Sequence, residues 1–117
     1  VGHLSEPGVN RVAWEYLGCS YLLAKEMEKF KTFLSRAGTF VQGRSLPIHF
    51  QEAALVLAVE DLSVLDRVAV RSEIVQRYKQ FQKDILKLKN SSDGLSWLYQ
   101  QYGDTFWFYY YCKKLNG

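Results

Sequence analysis

The sequence predicts an all-α domain of about five helices, and three observations carry that prediction. Apolar residues recur every three or four positions, most clearly at Ile74, Tyr78, Phe81, Ile85 and Leu88, which is the spacing of one helix face. Only 2 Pro and 8 Gly are present, most of them between periodic stretches, too few for the frequent turns of a sandwich or barrel. Residues suited to helix caps flank those stretches. A chain of 117 residues has the size of one domain and can bury a core without staples, so residues 1–117 are read as a single unit.

The elements follow in order. Pro7-Gly8 is read as a breaker and Asn10 as an N-cap whose side-chain oxygen accepts an orphan backbone N–H. The first helix runs from about Arg11 to Ala24, with Val12, Ala13, Tyr16, Leu17, Tyr21 and Ala24 at helical spacing. Gly18 costs about 1 kcal/mol there relative to Ala, which close packing of a second helix would offset. The second helix covers about Lys25 to Arg36, burying Met27, Phe30, Phe33, Leu34 and Ala37 and ending on Gly38 as a left-handed cap. Thr39 to Leu46, with Gly43, is a loop. Pro47 fits a helical first turn, and the helix of about His49 to Glu60 is apolar nearly all round, so it packs on more than one face. Asp61 to Arg71 is irregular: Ser63 and Asp66 cap a short turn, and Val68-Ala69-Val70 reads as extended linker. Ser72 to about Lys89 is the most regular amphipathic helix, with Glu73 and Arg77 placed for an i,i+4 pair. Asn90 to Gly94 stops it, with Ser92 or Asp93 capping the next. The aromatic run Thr105 to Tyr111 looks strand-like by propensity. Leu95, Leu98, Tyr102, Phe106, Tyr109 and Lys113 keep helical spacing, so one helix is expected from about Gly94 to Leu115, with Gly103-Asp104 its weakest point.

Trp14-x-x-Leu17-Gly18-x-x-Tyr21 matches the first-helix signature of the tetratricopeptide repeat at every position. Phe30 and Leu34 stand where the second helix of that repeat has a small residue and an aromatic. Ala37 occupies a small-residue position, and Gln42 replaces the closing Pro. Phe50-x-x-Ala53-Ala54-x-x-Leu57 and Tyr99-x-x-Tyr102-Gly103-x-x-Phe106 echo the pattern. The chain thus resembles a short, degenerate tetratricopeptide-like α-α superhelix, closed by an atypical terminal helix. Residues 102–111 and 46–54 also resemble a family of uncharacterised Bacteroidetes proteins, over roughly residues 46 to 112. That resemblance implies the soluble C-terminal region of a membrane protein and brings no activity. The chain does not begin with Met and is compatible with a piece of something longer, so a membrane is expected only through a segment upstream.

Few residues suggest chemistry. His3, His49, Cys19 and Cys112 lack the close pairs of a structural zinc site. Cys19 reads as a packing residue beside Gly18 and Cys112 as a free thiol. His49 is a solvent-facing or capping imidazole. Glu52 and Glu60, with Asp61, could supply paired carboxylates, yet acids on helix surfaces are common. No glycine-rich phosphate loop occurs, and no cofactor, metal or catalytic residue is assigned. The net charge of +3 is small for a nucleic-acid domain. The row Lys79, Lys83, Lys87, with Arg77 and Lys89 nearby, could track phosphates or anionic lipid; Asp84 interrupts it, favouring a solvated helix back.

The expected function is therefore a non-catalytic module that binds a peptide or partner protein. The tetratricopeptide resemblance implies a groove lined by Glu15 and Cys19, then Gln51 and Leu55, then Gln100, Asp104 and Trp107. The alternative is a structural region of a membrane-anchored protein, self-associating through its C-terminal aromatic helix. Weak nucleic-acid or anionic-membrane binding through the lysine row is the third reading.

Overall fold

The computed structural model describes residues 7–36, 46–88 and 90–112, and it is all-α. Six α-helices follow one another among these residues: α1 (Pro7–Leu23), α2 (Met27–Ser35), α3 (Ile48–Ala58), α4 (Ser72–Leu88), α5 (Ser92–Tyr102) and α6 (Phe106–Tyr111). A 3-10 turn, Leu62–Asp66, lies between α3 and α4. No strand occurs among the described residues. Ala37, the Gly38 cap, the loop after it with Gln42 and Gly43, His3, Lys89 and the stretch towards Leu115 lie outside them. The chain forms two compact units, Val1–Leu46 and Pro47–Gly117.

In the first unit α1 and α2 pack as a hairpin. α1 begins at Pro7, ahead of the expected cap at Asn10, because proline's fixed φ and missing N–H suit a first helical turn. The turn between the helices corrects a boundary. Lys25 has φ 57°, donates its N–H to Leu22 O at 3.0 Å, and Glu26 donates to Tyr21 O at 2.9 Å. This is a Schellman ending, with a left-handed residue just past the helix. Lys25 therefore closes α1 and α2 starts two residues later. Phe30, Phe33 and Leu34 are buried on α2, and Gly18 is buried on α1.

The second unit is assembled around α3. Every residue from Phe50 to Ala58 is buried, and α3 packs against the 3-10 turn, α4 and α6. The nearly all-round apolar surface thus has a partner on each side, as its composition requires. In a stacked repeat each element touches only its neighbours in sequence. Here α6 comes back onto α3, making this unit a small closed bundle. The Asp61 to Arg71 stretch is anchored by Val64 and Val68, both buried. Asp61, and not the expected Ser63, caps the 3-10 turn: its Oδ1 accepts from Ser63 N at 3.1 Å and Ser63 Oγ at 2.6 Å. On α4 the stripe buries Ile74, Tyr78 and Phe81.

The expected single C-terminal helix is two. Gly103 ends α5 and Thr105 opens α6. A Cβ on Gly103 would run into the carbonyl oxygen and ring of Tyr99, so the turn needs glycine. Thr105 Oγ1 accepts from Phe108 N at 3.1 Å and donates to Tyr102 O at 2.7 Å, a side-chain cap that makes restarting cheaper than continuing. The third tetratricopeptide echo therefore straddles two helices. The cap of α5 is Ser91, which accepts from Gly94 N at 2.8 Å, one residue ahead of the expected pair.

Candidate functional site

In the first unit, the residues of the Trp14 motif both hold the hairpin together and leave a recess. Trp14, Leu17 and Tyr21 share one face of α1. Trp14 stacks on Phe33 of α2 with ring centroids 4.8 Å apart and planes 20° apart, and Tyr21 meets the same ring edge-on at 5.9 Å. Phe33 in turn lies 5.6 Å from Phe30. Offset and edge-on pairs such as these add about 0.5–1.5 kcal/mol each to the area they bury. Trp14 and Tyr21 are only half-buried and Leu17 is 44% exposed. Together with Phe33 they line a recess of about 460 Å³, whose remaining walls are Glu28, Lys29 and Thr32 of α2 and Arg36 just past its end. The floor is apolar and the rim carries both charges. Arg11 sits 5.1 Å over the Trp14 ring, held by Glu15 at 2.6 Å, an i,i+4 pair that keeps the guanidinium over the aromatic face.

The second unit holds a buried polar hub. Gln51 and Glu52 are both nearly inaccessible. Gln51 Oε1 accepts from Arg71 N at 2.9 Å, just before α4. Glu52 Oε1 accepts from Phe106 N at 2.9 Å and from His49 Nδ1 at 2.8 Å, and the Glu52 backbone oxygen accepts from Trp107 Nε1 at 2.8 Å. The two buried polar side chains of α3 thus satisfy orphan N–H groups at the starts of α4 and α6, the groups a helix cannot pair by itself. The Glu52 hydrogen bond raises the pKa of His49 above its ordinary value, against the opposing effect of burial and with smaller help from the Glu52 and Asp104 charges. Outside the hub, Arg77 donates to Asp104 at 2.8 Å and to Gln101 O at 2.8 Å. That contact, before any other effect, holds the Asp104 carboxyl below its usual range. Arg77 is thus taken by Asp104, not by Glu73 as its spacing suggested.

Aromatic packing surrounds the hub. Trp107 lies 4.9 Å from Tyr78 and 6.0 Å from Phe81, and Tyr102 meets Phe81 edge-on at 5.1 Å. The Tyr102 hydroxyl donates to Asp84 Oδ2 at 2.7 Å; burial first and this bond second push its pKa up to about 12. Burial drives Tyr78 well above its ordinary value, helped by the contact of its hydroxyl with that of Tyr111 at 3.3 Å.

The seven residues expected to line a groove fall into different environments. Glu15 is engaged by Arg11. Cys19 is exposed on α1, and crowding around its sulfur, then the Glu15 charge, raises its thiol pKa. That is the reverse of nucleophile activation. Gln100 and Asp104 line a second open recess of about 580 Å³ with Arg77, Tyr99, Gln101 and Gly103. Gln51, Leu55 and Trp107 are buried and correct the expectation: α3 packs on several sides at once, and Trp107 turns its N–H inward to Glu52. The carboxylate pair is also taken apart, since Glu52 is buried while Glu60 is exposed and Asp61 caps the 3-10 turn. Cys112 is a buried free thiol whose pKa burial raises. The aromatic C-terminal helix is turned inward: Phe106, Trp107 and Phe108 are buried and Tyr109 to Tyr111 half-buried. The Trp14–Phe33 recess went unforeseen because its α2 wall pairs residues that helical periodicity assigns partly to a solvated face. The match at Leu17 and Tyr21 was the available signal.

No group of three or more His, Cys, Asp or Glu among the described residues is placed to hold a metal. No helix among them is long and apolar enough to cross a membrane. A protein-family model, described as a family of unknown function (DUF6057), matches residues 3–113. No curated protein and no solved structure matches the chain.

Proposed function

The chain belongs to that family, whose function is unknown, and we propose from the geometry that it is a non-catalytic module docking a segment of a partner protein into the Trp14–Phe33 recess. The observation that carries the reading is the recess itself: about 460 Å³ floored by two stacked aromatic rings and edged by Glu28, Lys29 and Arg36. Sites of this size with an apolar floor and a few polar groups at the rim suit a side chain of a peptide. Exposed aromatics are good anchors because they combine large area with few rotors. The occupant is a short partner segment with one large apolar side chain flanked by charges of both signs, matching the rim.

The tetratricopeptide resemblance of Trp14, Leu17, Gly18 and Tyr21 supports this reading, since that repeat is a helix hairpin used to present docking surfaces. The raised thiol pKa values of Cys19 and Cys112 and the engagement of Glu52 in capping support a non-catalytic role. Assembly through the C-terminal aromatic helix loses its motive, because that helix spends Phe106, Trp107 and Phe108 on the core. The test is selection of binders from a displayed peptide library, followed by NMR shift mapping. Shifts should centre on Trp14, Leu17, Tyr21 and Thr32, and Leu17→Asp, at a half-exposed position, should abolish binding with circular dichroism unchanged. Selected peptides that bind Leu17→Asp as well as the parent would sink the reading.

A further inference from the structure

The face of α4 directly opposite its buried stripe carries Ser72, Gln76, Lys79, Lys83, Leu86 and Lys87, all exposed. No acid lies on it. Glu73 and Asp84 stand on the flank, and Asp84 accepts from Tyr102 at 2.7 Å and Gln80 at 3.1 Å. Elsewhere Arg11, Lys29 and Arg77 each rest on a carboxylate, whereas Lys79, Lys83 and Lys87 form no ion pair among the described residues. Among these lysines Leu86 is 75% exposed. The three charges span about 12 Å of helix at 1.5 Å per residue.

We propose that this face rests on an anionic lipid surface, the three lysines against headgroups and Leu86 inserted between them. A lipid surface fits better than its rivals. A partner helix needs an apolar seam at spacings of three and four, and here Ser72, Gln76, Lys79 and Lys83 occupy those positions. Single-stranded nucleic acid is held by aromatic stacking and arginine as well as charge, and the face has neither. A headgroup layer requires no fixed geometry, attracts each lysine near it, and gives Leu86 somewhere to go.

The experiment is flotation of the full chain with phosphatidylcholine vesicles, with and without phosphatidylserine. Three lysines at about fivefold each predict partition roughly a hundredfold stronger into the anionic vesicles at low salt, lost as the Debye length shrinks in high salt. The triple variant Lys79→Gln, Lys83→Gln, Lys87→Gln should fall to the phosphatidylcholine level. Leu86→Ala should weaken vesicle binding several-fold and leave binding of a single-stranded oligonucleotide unchanged. All four side chains are exposed, and unchanged circular dichroism certifies the fold. Equal partition into both vesicles overturns the proposal. So does a triple variant that still floats. So does an oligonucleotide that binds as tightly through the same lysines while Leu86→Ala leaves vesicle binding intact.

Discussion

The α1–α2 hairpin and the bundle around α3 draw on the same aromatic-rich composition and treat it differently. In the hairpin, Trp14 keeps one face on Phe33 and leaves the rest half open. In the bundle, Trp107 is fully buried and its N–H is spent on Glu52 O. Phe30 and Phe33 are buried in the hairpin, but a ring at the edge of its single interface, such as Trp14, is covered on one side and left open on the other. A helix with partners on several sides can enclose a ring completely, but then every polar atom beside it needs an internal partner. The bundle meets that demand with Gln51 and Glu52. At Trp14 the hairpin avoids it by staying open, and the proposed docking rests on that openness.

The sharpest way to break the contrast is at the tryptophans. Trp107→Ala should destabilise by about 3–5 kcal/mol, the usual cost of deleting a buried aromatic. Trp14→Ala should cost less than half of that, because less of its area leaves water. Urea unfolding of both variants checks it, and similar costs would mean that the recess is closed in solution. Glu52→Ala comes next: it strands the Phe106 N–H and removes the partner of His49, for about 1–3 kcal/mol. Hydrogen exchange should speed up first at the α6 amides.

A smaller effect acts on the hairpin with the opposite sign. Lys25 holds φ 57°, a region that costs a residue with a side chain but not glycine. Lys25→Gly should therefore stabilise by roughly 0.5–1 kcal/mol, read as a rise in Tm. The smallest effect is the pH dependence of the hub. His49 has its pKa raised in the fold, so the folded state binds its proton more tightly. That contribution is fully present below the ordinary histidine range of about 6.5 and is lost as pH rises through the folded value. His49→Ala should flatten that slope in stability measured across neutral pH. A slope that survives in the variant would assign the effect to another group.

Helix content was legible in the residues, since periodicity and capping are local. The all-round apolarity of α3 announced several packing partners, and Gly103 was legible as the weak point of the last helix. Lys25 misled because a left-handed lysine leaves no mark in composition. The candidate recess was half legible: Trp14, Leu17 and Tyr21 stood out, but nothing local placed Phe33, Thr32 and Arg36 opposite them.

The sequence by itself determined the all-α class of this protein, the amphipathic faces of its helices and an aromatic motif at their head, because each of these depends on neighbours within a few residues. Only the tertiary structure decided which polar groups are spent and which are free. Gln51 and Glu52 look like surface residues on a helix until Arg71, Phe106 and Trp107 arrive from far along the chain to meet them. Burial is set by what packs against a face, and that is a property of distant residues brought together.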